Sequence, residues 1–571
     1  MRKNVKKQLA LRVLSTAALM AMVSSIATAA FADTYDLNTG SVTVETKDDG
    51  YTYVTQTDTK TGDFAQNSKG DTLDGYKDTD PKGVTITSDG KQTSNTITVN
   101  TAENQTTNVT LENVHIQPDS EWSSDPAPIE ITGKGNTNLE LNGNNIVLSG
   151  NSEHAAIEKA DKYGTGTLTI KDDVNNDGSE KKGTDKDTTG KLLAGGFDNS
   201  AGIGGGGTGD TADTSKITIT GGDITAVGGY YGAGVGSGNG GDASNIRIEG
   251  NAHVTAFADD GAAIGAGYGG SSDVTITGHA NVDAAGRCGA AIGLGNLGYQ
   301  TTITISGDAT VNAEGVDGTG AIGGGRNSGS KVTVNIKDNA NVTAIADGVA
   351  IGNNGGGSST TINITGGTVD AVAHCFNSKP AIGANSGSLN LTVNSSTGKT
   401  TVNAYSSDDH SPIGIGYDNI TIPASADYDE TGTSQLGESN AAVINFYRKA
   451  TLKTSDFNCP KTLDPYATQI HKRYTLSDKG DLYKVVHNRK YMEEHPDIVD
   501  TSKLENSDLH DWQLVDKVAP TLEKDGYADY ICNIDKCCQT RHVVLPKLTP
   551  EEMREVGVIF WDAAAQAAPA A

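Results

Sequence analysis

Positive charge is scarce in this 571-residue chain: 44 Lys and Arg stand against 71 Asp and Glu, for a formal net charge of −27 at pH 7. So acidic a surface repels phosphate backbones and anionic headgroups, which excludes nucleic acid and acidic membrane surfaces as expected partners. It suits solubility outside the cell, weak cation binding or contact with neutral sugars. Long apolar runs are also lacking. Beyond the first 32 residues no stretch approaches the 18 apolar residues of a spanning helix, so no transmembrane anchor is expected. Helical periodicity of useful length is missing from the middle of the chain. Cysteines number six, and none are separated by the two residues common in zinc ribbons. Cys288 and Cys375 fall four and seven residues before a repeated Ile-Gly pair and are therefore not equivalent.

Glycine, by contrast, is abundant at 71 residues, and its placement is periodic. Eight Ile/Val-Gly pairs begin at Ile203, Val235, Ile264, Ile292, Ile322, Ile351, Ile382 and Ile413, separated by 28 to 32 residues. A period near thirty residues marks a solenoid, whose repeats bury their apolar faces only against neighbours. Between the pairs lie two alternating runs per repeat. The first includes Ile217/Ile219, Ile246/Ile248, Val274/Ile276, Ile303/Ile305, Val332/Val334, Ile362/Ile364 and Leu389/Leu391. The second includes Ile224/Ala226, Val254/Ala256, Val282/Ala284, Val311/Ala313, Val342/Ala344, Val369/Ala371 and Val402/Ala404. Period-2 alternation with β-branched residues predicts strands. With Gly-Ala-x-Ile-Gly as the third element (Gly261 to Gly265), each repeat reads as one coil of a parallel β-helix, taken as right-handed.

The dimensions agree. Thirty residues at about 3.3 Å each, less the turns, give a perimeter somewhat under ~100 Å, and eight coils stacked at about 4.8 Å span roughly 35–40 Å. The eight Ile/Val residues should point inward in register, with alanine at the narrow corner. Glycine clusters such as Gly204 to Gly207 are expected at corners, where positive φ or close backbone approach is needed. A phosphate-cradling loop would require a following helix, and none is indicated.

The chain opens with Arg2, Lys3, Lys6, Lys7 and Arg12, then the apolar run from Val13 to Met22, then Ala30-Phe31-Ala32. That order predicts a secretory signal peptide over 1–32 and places the protein outside the cell or on its surface. Expected next are a cap region over 33–82, the parallel β-helix over 83–435, a connector or small α+β module over 436–505, a small cysteine-containing β module over 506–548 and a tail over 549–571. The 46-residue gap between Ile157 and Ile203 marks a coil with an insertion.

Asn-Leu-Glu-Leu-Asn-Gly-Asn-Asn at 138–145, Leu168-Thr-Ile170 and the repeated Gly-Ala-x-Ile-Gly followed by Ile-Thr-Ile-x-Gly-Gly resemble a known family. Over roughly residues 80–420 the chain is similar to bacterial surface proteins with a carbohydrate-binding-type β-helix and adhesin-like repeats. The resemblance implies a secreted or cell-surface, non-catalytic glycan binder whose partner is a polysaccharide or a host or cell-wall glycan. His510-Asp-Trp512, Ala519-Pro520-Thr521, Gly526, Tyr530, Cys532, Cys537 and Leu545-Pro546 resemble a short module of such surface proteins. Leu522 stands where that module places its first cysteine, which puts a disulfide or metal role there in doubt.

Candidate chemistry is sparse. Asp173, Asn175, Asp177 and Gly178 match the first half of a calcium loop, but position 12 is Thr184 rather than a bidentate acid. Calcium is thus the one cofactor candidate, and a solvated insertion loop is the preferred reading. Cys532, Cys537, Cys538 and His542 offer a metal set that competes with a plain disulfide-stapled module. A polysaccharide lyase or hydrolase would need acids and a basic residue converging over consecutive coils. Arg247, Arg287 and Arg326 stand at different offsets from their pairs, so no catalytic residue is assigned. Tyr231, Tyr268 and Tyr299, with Tyr230, fall in turns near the pairs and are candidates for stacking on sugar rings; corner packing is the plainer reading of each. The functional expectation is glycan binding, with a β-helix polysaccharide lyase or hydrolase, or a passive structural stalk, as alternatives.

Overall fold

The computed structural model describes residues 34–66, 71–79, 83–117, 126–173, 190–316, 318–329, 331–356, 359–373, 379–393, 400–406, 413–416, 426–428, 432–436, 442–446, 450–456, 512–518, 526–532 and 540–545. They form an all-β solenoid of three parallel sheets, with 14, 13 and 14 strands. Each coil contributes one strand to each sheet in turn, as in Ser272–Ile276, Asn281–Gly286 and Ile292–Gly293. We call these sheets one, two and three in that order. The only helical element among the described residues is a 3-10 turn at Gly209–Thr211, so no helix there is long and apolar enough to cross a membrane.

Sheet three holds the eight Ile/Val-Gly pairs in unbroken register from Ile203 to Ile413. All eight Ile/Val side chains are fully buried. The ladder continues above them through Ile157, Ile129, Ile97 and Val42. Inside, these residues meet the Ile/Val column and the small Ala226-to-Ala404 column of sheet two. Stacked β-branched side chains fill the interior at strand spacing, and alanine leaves room where the sheets converge.

Sheet one differs in one respect from the alternation read in sequence. Val332 pairs with Thr301 and Thr360, whereas Val334 pairs with Ile303 and Ile362. Leu391 likewise continues that column, and Leu389 pairs with Thr360. These strands have three inward positions, and the first accepts Thr214, Ala243, Ser272, Thr301, Val332, Thr360 or Leu389. Two apolar neighbours in sequence therefore do not always mark the same rungs. Bulges at Lys216 and Asn245, both at positive φ, add a residue to two strands and account for part of the uneven repeat length.

The solenoid reaches past both expected limits. Thr34–Asp36 and Val42–Thr46 already pair in parallel with Val84–Thr87 and Ile97–Thr101. Beyond residue 435, Ala442–Phe446 and Ala450–Asp456 continue sheets one and two. The cap proper is the antiparallel pair Thr52–Gln56 and Tyr76–Asp78 added to sheet three. Trp512–Val518, Gly526–Cys532 and Thr540–Leu545 form a separate antiparallel sheet of three strands. The expected signal peptide over 1–32, Asn175, Asp177, Cys537, Cys538 and the expected tail over 549–571 lie outside the described residues.

Candidate functional site

Two loops leave the cylinder in each coil. One joins sheet two to the Ile-Gly pair, and the other carries the chain from the pair to sheet one. They meet along one edge through repeated backbone hydrogen bonds. Asn239 N donates to Asn199 O (2.9 Å), Tyr268 N to Tyr231 O (2.8 Å), Asn296 N to Asp260 O (2.7 Å) and Arg326 N to Cys288 O (2.8 Å). The result is a seam two residues wide, repeating at about 4.8 Å. Its left column is Asn199, Tyr231, Asp260 and Cys288; its right column is Asn239, Tyr268, Asn296 and Arg326. Glycines make the approach possible: a Cβ on Gly267 or Gly295 would collide with the carbonyl oxygen of the glycine one coil away.

The rings cluster at the middle of the seam. Tyr230 and Tyr231 pack edge to face at 4.6 Å between centroids, and Tyr231 and Tyr268 do so at 5.3 Å. Tyr230 is 39 % exposed. Tyr299 does not join them. It is 63 % exposed and its N–H bonds Gly270 O, which places it at the entry to a sheet-one strand.

One coil on, Asp259 and Asp260 are nearly buried, and their carboxylates lie with the Cys288 thiol within 4.8 Å of one another. Arg287 Nη1 donates to Asp259 Oδ2 (3.3 Å) and Asn296 Nδ2 to Asp260 Oδ1 (3.4 Å). Burial, followed by the charge of Asp260, pushes the Cys288 thiol up to about 11. The Asp260 charge, ahead of burial, also raises Tyr230 above the usual phenol range, keeping its hydroxyl a donor. These three residues could hold a divalent cation, but it would have to displace Arg287 and deprotonate the thiol.

A second polar row lies on the outer face of sheet two. Lys191 Nζ lies 3.8 Å from Asp223, Asp223 lies 3.1 Å from His253 Nδ1, and His253 Nε2 lies 3.8 Å from Asp283. Asn312 Nδ2 donates to Asp283 Oδ1 (2.8 Å). Burial pulls the imidazolium down, but its hydrogen bonds to Asp223 and Asp283 outweigh that and lift His253 to about 9. Thr225, Thr255, Asp283, Asn312, Thr343 and Asp370 are only 2 to 7 % exposed, and the contacts of this row tie successive coils together.

A third group surrounds Glu158, which is fully buried. Its Oε2 accepts from His154 Nδ1 (2.8 Å) and Ala155 N (3.1 Å). Glu130, one coil above in register, is raised by burial and then by the Glu158 charge. With Glu158 shut away from solvent, this group positions a loop.

Of the tyrosines singled out in the sequence, Tyr230, Tyr231 and Tyr268 come together on the seam and Tyr299 does not; the other seam residues were not singled out as a group. Arg287 and Arg326 come from the two different loops, so their unequal offsets are what bring them to the same edge. The signal was a pair of fixed offsets. Every left-column residue lies four before an Ile/Val of the pairs, and every right-column residue lies four after one. Of the calcium candidates, Asp173 is described: it is exposed and accepts from Lys171 Nζ (2.9 Å). In the C-terminal sheet, Cys532 pairs with Trp512 and His542 with Asp529 in strand register. Compared with known proteins, the chain matches no family model, no curated protein and no solved structure.

Proposed function

We propose that the protein is secreted or displayed at a cell surface and binds polysaccharide along the seam without cleaving it. The observation that carries this reading is the adjacency of three packed tyrosine rings with Asp259, Asp260, Asn296 and Arg287 on one edge. Flat rings cover the apolar faces of a sugar, while carboxylates, amides and guanidinium groups take its hydroxyls. Repetition at strand spacing suits a polymer: weak contacts on successive coils sum through avidity.

The test is calorimetric titration of the purified chain with neutral and acidic oligosaccharides, beside a Tyr231→Ala variant. Saturable binding without product is expected, weakened about tenfold or more by the substitution, as for a tyrosine anchor worth about 1.4 kcal/mol or more. Binding unaffected by Tyr231→Ala would remove the seam from the account. A second reading, a lyase or hydrolase, is favoured by the convergence of Asp259, Asp260, Arg287 and Arg326. New reducing ends or unsaturated products from the same mixtures would establish it instead.

A further inference from the structure

One carboxylate in the stack is shut away from water with half of its hydrogen-bonding capacity unused. Glu158 is fully buried. Its Oε2 is engaged by His154 and Ala155, whereas Oε1, equally hidden, has no hydrogen-bond partner among the described residues. A carboxylate oxygen kept from water needs a donor or a cation beside it. We infer that Glu158, with Glu130 and Glu153, forms a calcium site that clamps the 149–155 loop onto the stack. The inference does not depend on the carbohydrate reading.

Strand register and glycine contacts bring the three acids together. Glu130 and Glu158 are partners in adjacent parallel strands, about 4.8 Å apart. Each follows a buried isoleucine, Ile129 or Ile157, so alternation turns both carboxylates to the outer side of sheet three. The loop over them is folded by Ser149 Oγ, which donates to His154 O (2.6 Å), and by Asn151 Oδ1, which accepts from Glu153 N (2.9 Å). From the next coil Gly207 N donates to Glu153 O (2.8 Å), the same link that repeats along the seam. A Cβ on Gly206 would lie 3.1 Å from Glu158 Oε2, and one on Gly207 would lie 2.9 Å from Glu153 Oε2. Glu153 and Glu158 thus rest their carboxylates on consecutive glycines. Among the described residues no lysine or arginine forms an ion pair with any of the three acids; the basic partner of Glu158 is His154. His154 is raised first by its hydrogen bond to Glu158, against burial, and then by the charges of Glu158, Glu130 and Glu153.

The donors select the ion. They are hard oxygens, three carboxylates and the carbonyl of Glu153, while His154 Nδ1 is committed to Glu158. Calcium takes about six to eight oxygens in flexible arrangements, whereas magnesium demands a near-ideal octahedron and zinc favours nitrogen and sulfur. Glu153 is exposed, so its side chain is free to swing onto an ion seated at Glu158 Oε1, with water completing the shell.

The experiment strips the full chain with a chelator and titrates it with calcium, magnesium or zinc. Heat is read by calorimetry and unfolding by melting temperature. Calcium should raise the melting temperature by several degrees near saturation, and magnesium by less. Glu153→Gln should fold like the parent and bind calcium about tenfold or more weakly, and Glu158→Gln should abolish binding. Asp177→Asn, in the calcium-like loop of the sequence, should bind as the parent does. Absence of both heat and melting shift with calcium overturns the inference, as does equal binding by parent and Glu153→Gln. Retained binding by a folded Glu158→Gln chain does the same; if that chain does not fold, Glu153→Gln carries the test. Loss of binding in Asp177→Asn alone assigns the ion to the insertion loop instead. Zinc or magnesium binding tighter than calcium overturns the choice of ion.

Discussion

Valine replaces isoleucine at position 235, but no residue replaces the glycine that follows each pair between Gly204 and Gly414. Those eight glycines have φ between 126° and 152°, a region that side chains avoid. A Cβ on Gly265 would also strike the carbonyl oxygen of Gly293 in the next coil. Gly265→Ala should therefore lower stability by about 2 kcal/mol or more, measurable as an earlier denaturant midpoint. Alanine at exposed Gly356, where a Cβ meets nothing within 4 Å, should have little effect. One coil earlier the same rung carries Glu158. Its carboxylate is engaged by His154 and Ala155, so the glycine is dispensable where a buried acid organises the loop. The periodic glycines made the coil legible in sequence. The seam was less so, because its residues differ chemically from coil to coil and only their offset repeats.

At the scale of the strand, the outer row of sheet two carries a pH-dependent link. His253 sits at about 9 in the folded chain against an ordinary 6.5. A folded value raised above the unfolded one stabilises fully below the unfolded pKa and is lost as pH climbs through the folded one. The bond from His253 to Asp223 and Asp283 should therefore be complete below about pH 6.5 and fade through about pH 9. The parent's melting temperature should drop by a few degrees more across that interval than that of His253→Gln. Identical pH profiles would assign the ladder no energetic role. Alternating valine and alanine announced these strands, yet nothing in their pattern told that Thr255 and Asp283 would be nearly as buried as Val254 and Val282. Burial of the outer face depends on neighbouring coils, which a single repeat does not contain.

For the molecule as a whole, contacts run mainly between adjacent coils, so stability is close to a sum over coils and their interfaces. Excision of residues 265–292 would join Ile264 directly to Gly293 and preserve the rung that each occupies in sheet three. The shortened chain should still give a β-sheet circular dichroism spectrum and a cooperative melt. It should bind no glycan, because Tyr268, Arg287 and Cys288 leave together. A shortened chain that fails to fold would show coupling beyond nearest neighbours. Domain limits were the least legible feature at this scale. Thr34–Asp36 and Ala450–Asp456 lack the Ile-Gly signature, and they join the sheets through backbone pairing that their side chains do not advertise.

At both ends the stack carries strands that run against it. Thr52–Gln56 runs antiparallel to sheet three at one end, with Tyr76–Asp78 turning back again beside it, and Gly432–Leu436 and Ala426–Tyr428 run antiparallel at the edges of sheets one and two at the other. A second copy arriving head to tail at the C-terminal end would meet reversed edge strands on two of the three sheets, so its coils could not continue the parallel ladder there. Fibre growth by simple end-on addition is thereby discouraged, although every coil in between would serve as a template for the next.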